Sequence, residues 1–440
     1  MLHYVGLNNC EMNPAQTPIA LEGILSFYRN HALSSLVPFW QRALDTQRGG
    51  IYTCFDNAGK NLVSRNKYTW SQGRFVWLWT RLSWMVSKGY LPGDPATYLK
   101  PAEKTVSFLL SHAFLENGNC AYLLSDKGEM LESVPGAGFD RSIFSDCFIL
   151  LGLAEYSRVS GEVEVLDRAL QLYDRICIRI AAGDFRTEPY PTPTGLKGQS
   201  VFMILLRVTQ VLAESVAAFQ HDRSDEITRA SVSLCREILE SYCDEDGRVA
   251  EFLPLTTHAS DGLLLRHVNP GHVFECMWFI INTALQQKQN QWIPKAVTAI
   301  KTAASLGWDQ AYGGFFRFVN ETGGEPVGTT SGQPYETLIL DTWDLKLWWP
   351  HSEALYSTLL AYKVTRDDEL YSLFRQVHEY VFRTFPNPDS QIGEWIQIRD
   401  RQGLPLEKCV ALPVKDPYHI LQDVLLIIEL LHDSEKAPAN

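Results

Sequence analysis

Three short stretches of this sequence put a histidine in the same local setting: PGHVFE (270–275), WWPHSE (348–353) and DPYHIL (416–421). In each, the histidine follows a proline by one or two residues and opens an apolar run with helical spacing. Proline is tolerated in the first helical turn because its missing N–H would be unpaired there, so His272, His351 and His419 fall in that turn. The positive end of a helix disfavours an imidazolium and lowers the histidine pKa, which leaves a neutral ring ready to take a proton. Any one of them could equally bond a backbone carbonyl. Three in equivalent positions point to acid–base chemistry. His272 and Glu275, three apart, share a helix face, whereas His351 and Glu353, two apart, do not face each other. Arg74 follows Gly73 at another helix start, KYTWSQGRFVWLW (67–79), where a guanidinium flanked by Trp70 and Trp77 is suited to hold a developing oxyanion. The other eight histidines, at 3, 31, 112, 221, 258, 267, 378 and 432, share no such pattern and are assigned to core or solvent.

Something must hold these helix starts together. Apolar residues at i, i+3, i+4 and i+7 predict about twelve helices, beginning near 17, 73, 97, 140, 162, 198, 224, 271, 291, 350, 367 and 418. Between them recur short alternating strands around Asp/Asn/Gly turns, near 48, 117, 244, 312 and 392, with a degenerate copy expected near 184. The period predicts six helical hairpins. Each hairpin can bury its apolar face only against its neighbours, so six of them are expected to close into a ring of inner and outer helices, with the pocket at the ends of the inner ones. The fold class is all-α, one catalytic domain over 1–440, with short β-hairpins in the connecting loops.

Composition removes several function classes. The chain has 440 residues, 45% of them apolar, and a formal charge of −12, and no basic patch suited to nucleic acid or anionic membrane. No basic-then-apolar leader opens the sequence, and the longest uninterrupted apolar runs are short, so a cytoplasmic protein is expected. Nine cysteines without a CxxC pair read as reduced core thiols. Neither HxH nor HExxH occurs, so no metal and no cofactor is expected.

The segments KYTWSQGR, NPGHVFECMWF, KLWWPHSEAL, GEW and PYH, in this order and with similar gaps over roughly 35–432, resemble the N-acylglucosamine 2-epimerase family. The resemblance implies an (α/α)6 barrel that inverts C2 of a sugar. It further implies His272 and His419 as acid and base, Arg74 on the substrate oxygens, and His351, Glu353 and Glu275 completing the site. Trp349 and Trp395 are expected to offer flat faces to the sugar's C–H groups. One departure is visible: where family members often read His followed shortly by Pro-Arg, this chain has HILQD (419–423). Cellobiose-acting relatives commonly carry a histidine in the region that here reads GQSVFMILLRVTQVL (198–212). Its absence favours a monosaccharide, N-acetylglucosamine interconverting with N-acetylmannosamine. The alternatives are an aldose–ketose isomerase on a free hexose such as mannose, a cellobiose 2-epimerase, and more remotely a glycoside hydrolase drawing on Glu275 with Glu353, or on Asp341 and Asp344. The expected partner is a small sugar, and a homodimer is the candidate assembly.

Overall fold

The computed structural model describes residues 21–256 and 261–436; His3, His258 and the expected helix start near 17 lie outside them. Helix α1 (Leu21–His31) runs through a π-helical turn (Ala32–Leu36) into α2 (Val37–Arg42). Hairpins follow in chain order: α3 (Thr69–Ser87) with α4 (Ala96–His112), α5 (Ile143–Ser160) with α6 (Val163–Ala182), and α7 (Gln199–Ala218) with α8 (Ser224–Glu237). After a short α9 (Leu263–Arg266) come α10 (Pro270–Gln286) with α11 (Ile293–Gly307), a short α12 (Pro334–Thr342), α13 (Trp348–Thr365) with α14 (Asp368–Thr384), and α15 (Tyr418–Lys436).

Side-chain patterning sorts these into two layers. Every residue of α5 from Ile143 to Ser157 is buried, as only a helix packed on all sides can be. Its partner α6 buries one stripe, Val165, Leu166, Ala169, Leu170, Leu172, Tyr173 and Ile176, and leaves Glu164, Asp167, Arg168 and Gln171 on other faces. Each fully buried Val, Leu or Ile on that stripe contributes about 1.5–3 kcal/mol. The inner helices are α3, α5, α7, α10, α13 and α15. They pack in that cyclic order, α15 meeting both α3 and α1, so the ring closes as an (α/α)6 barrel. Among the described residues α7 alone is long and apolar enough to cross a membrane, but it is an inner helix buried along most of its length.

Glycines set the closest approach. A Cβ on Gly73 would lie 2.1 Å from the Phe148 carbonyl oxygen, and one on Gly152 2.5 Å from that of Gly73. Backbone therefore meets backbone where α3 crosses α5, one residue before Arg74.

At the mouth of the barrel, strands of two or three residues pair just before inner helices. β1 (Lys67–Tyr68) pairs antiparallel with β2 (Leu123–Leu124), which continues to β3 (Met130–Leu131). β4 (Leu196–Gly198) pairs with β5 (Phe252–Pro254), β6 (His267–Val268) with β7 (Val319–Asn320), and β8 (Lys346–Leu347) with β9 (Ile398–Arg399). The degenerate copy expected near 184 is reduced to a single bridge, Ser142 to Thr187, in a segment broken by three prolines.

Two hairpins are fastened alike. Lys67 Nζ reaches Asp45 at 2.9 Å and the Gly49 carbonyl at 2.8 Å; Lys346 Nζ reaches Asp309 at 3.2 Å and the Gly314 carbonyl at 3.3 Å. Both ammonium groups are fully buried, and each also lies 4.2 Å from the centre of a phenylalanine ring, Phe108 or Phe316. A buried lysine is tolerable only when paired and hydrogen-bonded in this way.

Candidate active site

The starts of the inner helices enclose a cavity of about 1240 Å³ including its open mouth. Arg74 enters it from α3, His272 and Glu275 from α10, Trp348 and Trp349 from α13, and His419 from α15, with Asp416 just before it. Seven residues separated by up to 345 positions in the chain thus share one wall. Their placement follows from the helix starts: Asn269 caps α10, its side chain accepting from the His272 backbone N–H at 3.3 Å, and Pro270 fixes the first turn.

His419 and Arg74 form one half of the site. The guanidinium stacks on Phe148, Tyr418 and Trp70, its carbon 3.9, 4.7 and 4.9 Å from the ring centres, and its Nη1 lies 3.6 Å from Asp416. Its Nη2 approaches His419 Nε2 at 3.3 Å. A guanidinium can only donate, so Nε2 accepts and the His419 proton sits on Nδ1, which donates to Glu353 at 2.7 Å. The other oxygen of Glu353 accepts from Trp278 Nε1 at 2.7 Å. Burial, with Arg74 and His272 nearby, holds the His419 pKa well below the ordinary histidine value. A neutral ring with a lone pair facing the cavity is the form of a base.

His272 is the opposite case. Its Nδ1 lies 2.9 Å from both oxygens of Glu251, and Nε2 is left for the cavity. Burial works against charge on this ring, but the Glu251 carboxylate more than offsets it, and the pKa is raised. The helix start was expected to lower it; a carboxylate in direct contact outweighs a partial charge. Glu275, on the same face, is raised by burial despite His272, Arg74 and Arg207. Between the two histidines lies Trp349, its ring 5.2 Å from that of His272 and 5.8 Å from that of His419. It fits there because position 271 is glycine: a Cβ would meet the indole at 2.4 Å.

Three expected site residues stand elsewhere. His351 is fully buried and does not line the cavity. Its Nε2 accepts the Phe315 backbone N–H at 2.8 Å and its Nδ1–H donates to the Leu347 carbonyl at 2.6 Å, so it holds a hairpin onto a helix, and burial lowers its pKa to about 3. Trp395 is also buried away from the cavity, stacked on Phe385 and donating to His31 Nε2 at 2.8 Å. Glu353 stands behind His419 and reaches the cavity only through it. The HILQD departure puts Asp423 one turn after His419, fully buried, where it and Glu275 help burial to hold the Glu353 pKa well above the carboxylate range. Asp341 and Asp344 do not line the cavity either, which removes one of the carboxylate pairs considered for hydrolysis.

Sequence reasoning missed Glu251, Arg317 and Asp416. Glu251 immediately precedes β5 and is the charged residue within the apolar run VAEFLP, which is the one signal that could have found it. Arg317 lines the cavity and fastens its mouth, donating to Thr342 Oγ1 and the Tyr190 hydroxyl at 3.0 Å and to the Val410 carbonyl at 3.3 Å. Glu275, Glu353 and His419 bring ligand-type atoms within 4.8 Å of one another. The set does not fit a divalent cation, because His419 spends Nδ1 on Glu353 and turns Nε2 to a guanidinium.

Residues 49–423 match the family model described as N-acylglucosamine 2-epimerase (GlcNAc 2-epimerase). The N-acylglucosamine 2-epimerase of Bos taurus is 28% identical over 420 residues, covering 93% of this chain and 92% of the relative. A D-mannose isomerase of Marinomonas mediterranea is 21% identical over 418 residues, 90% and 95% of the two chains. The solved cellobiose 2-epimerase of Spirochaeta thermophila superposes with a TM-score of 0.74 at 16% identity, covering 96% of this chain and all of that one. The family match and the curated relatives make this α/α barrel, with titratable groups gathered at the mouths of its inner helices, a carbohydrate epimerase, an isomerase. The chain belongs to the N-acylglucosamine 2-epimerase family.

Proposed function

We propose that the protein interconverts N-acetylglucosamine and N-acetylmannosamine by inverting C2, with His272 and His419 as the two acid–base groups. The observation that carries this reading is the opposite charge preference of two histidines in one cavity. In the open-chain sugar, neutral His419 takes the C2 proton of the epimer that faces it. The electron pair of that C–H bond moves into a C1–C2 double bond, and O1 becomes an oxyanion beside Arg74. His272, whose pKa Glu251 raises, returns a proton to the opposite face of C2 and the C1 carbonyl reforms. One proton leaves and one arrives, so no oxidant or cofactor enters the balance. Trp349 and Glu275 border the reacting carbon, and Glu353 fixes the tautomer of His419. The N-acyl substrate is supported by the family and by the 28%-identical relative. The whole ring is taken as one catalytic domain, in the cytoplasm; the eight described cysteines, none in a disulfide, support that compartment.

The reading is tested by running the reaction in D2O and following it by NMR. Deuterium is expected at C2 of the inverted product, with little label in substrate recovered early. A ketose as sole product would move the assignment to aldose–ketose isomerisation. Hydrolysis without carbon labelling, or inversion confined to cellobiose, would replace the proposed substrate.

A further inference from the structure

The proposed inversion begins from the open-chain sugar, whereas an aldose in water is overwhelmingly a closed ring, so a proton must first pass from O1 to O5. His272 and His419 are committed to the two faces of C2, and His351 is buried elsewhere, holding a hairpin. Asp416 is a charged group of the cavity with no part in that chemistry. Its Oδ2 lies 3.4 Å from Trp348 Nε1, 3.6 Å from Arg74 Nη1 and 3.7 Å from His419 Nε2. The structural ion pair of Lys67 with Asp45 is closer, at 2.9 Å. Oδ2 is thus held beside the guanidinium without being tied to it, and a sugar oxygen can reach it.

The carboxylate is fixed from behind. Oδ1 accepts the Tyr418 N–H at 3.0 Å, and the side-chain amide of Gln397 bonds both the backbone N–H and the carbonyl of Asp416, each at 2.9 Å. Beside it, buried Lys415 donates to the carbonyls of Asn57 and Trp395 at 2.8 and 2.7 Å. These bonds leave the chain before α15 little freedom, which is what a group acting on a reacting atom requires.

We infer that Asp416 opens the sugar ring by carrying the proton from O1 to O5, and that the protein therefore interconverts the α and β anomers of its substrate as well as inverting C2. This rests on the proposed placement of O1 beside Arg74. O1 and O5 are bonded to the same carbon, so one carboxyl group serves both. The Asp416 carboxylate takes the proton of the C1 hydroxyl while Arg74 steadies the charge growing on O1. The electron pair of that O–H bond becomes the second bond of the C1 carbonyl, the C1–O5 bond breaks, and O5 leaves with its pair and takes the proton from Asp416. One proton has moved, nothing is oxidised, and Asp416 is again a carboxylate. Once open, C1 can present either face to O5 on closing, which exchanges the anomers.

The test follows N-acetylmannosamine by NMR magnetisation exchange between the C1 protons of its two anomers, with wild type and Asp416→Asn. Wild type is expected to speed the exchange above the buffer rate and the asparagine variant to leave it there. Inversion at C2 should fall at least about 100-fold in the variant, in kcat rather than KM. Deuterium in place of hydrogen at C2 should slow the variant less than it slows wild type, because C2 is no longer the slow step. Asp416→Glu keeps a carboxylate and carries the test should the asparagine variant melt early; its anomer exchange is expected to stay above the buffer rate. A wild type that does not speed the exchange, a folded glutamate variant at the buffer rate, or an asparagine variant that exchanges anomers like wild type or shows a larger isotope effect overturns the inference. Anomer exchange that depends on Asp416, with no deuterium entering C2 in D2O, overturns the proposed inversion instead and leaves Asp416 in its role.

Discussion

Each of the two histidines in the cavity leans on a glutamate through Nδ1, and the two arrangements differ in outcome. Burial, aided by Arg74 against its other nitrogen, holds the His419 pKa down; at His272 the Glu251 carboxylate outweighs burial and raises it. Glu251→Gln keeps a hydrogen-bond acceptor but removes the charge that opposes burial. The His272 pKa then falls, so the alkaline limb of the pH–rate profile is expected to move at least one unit toward acid, with a 10- to 100-fold loss in kcat/KM. An unmoved limb in the folded variant would detach Glu251 from the chemistry. Arg74, His272, Glu275 and His419 were legible because each sits at a helix start, where composition is informative. Glu251 was not, since it lies just before β5 in another hairpin and only folding brings it to within 2.9 Å of His272.

At the level of elements, the eleven expected helix starts that fall within the described residues were legible and the repeat register was not. The short helices α9 and α12 are too brief for periodicity to reveal. The Pro-His signature grouped His351 with His272 and His419, but the repeat pairs it with a different residue. Lys67 precedes Gln72 by five positions, as Lys346 precedes His351. Gln72 Oε1 accepts the Ile51 N–H at 2.8 Å just after Gly50, and His351 Nε2 accepts the Phe315 N–H at 2.8 Å just after Gly314. In both, a polar side chain on an inner helix pins the preceding hairpin. Asp146 serves α5 likewise, accepting the Cys120 N–H at 2.8 Å.

That equivalence predicts what His351→Gln does. A glutamine can take the same N–H, as Gln72 does, so stability at pH 8 should stay within about 1–2 kcal/mol of wild type. The acid side should differ. A histidine held neutral when folded, with a pKa of about 3, but titrating near 6.5 when unfolded, contributes stability that is complete above about pH 6.5. It is lost as pH falls toward 3, because the unfolded chain then binds the extra proton. Below pH 6.5 the wild type is expected to lose about 1.4 kcal/mol per pH unit more steeply than the variant, measured by urea unfolding at pH 8 and 5.5. Parallel slopes would remove the titration of His351 from the account.

Across the described residues, no hairpin buries its apolar face without its neighbours, and the cavity draws residues from five of the six inner helices for its charged and aromatic wall alone. The ring is expected to unfold as a unit. Tryptophan fluorescence, far-ultraviolet dichroism and residual activity should fall in one coincident transition in denaturant, and activity lost well before the fluorescence change would mean that the site melts separately from the barrel.

The contact between Arg74 and His419 spans 345 positions and crosses the seam where the first inner helix meets the last. A ribosome delivers those two side chains at opposite ends of the synthesis of this chain, and every contact between them must wait for the loop of everything in between to close. Five inner helices can stack in sequence as they emerge, yet His419 and Arg74, the proposed base and oxyanion site, remain apart until α15 docks. Turnover is therefore a report on the final stitch: a partly built ring has core, helices and most of a cavity, and no chemistry.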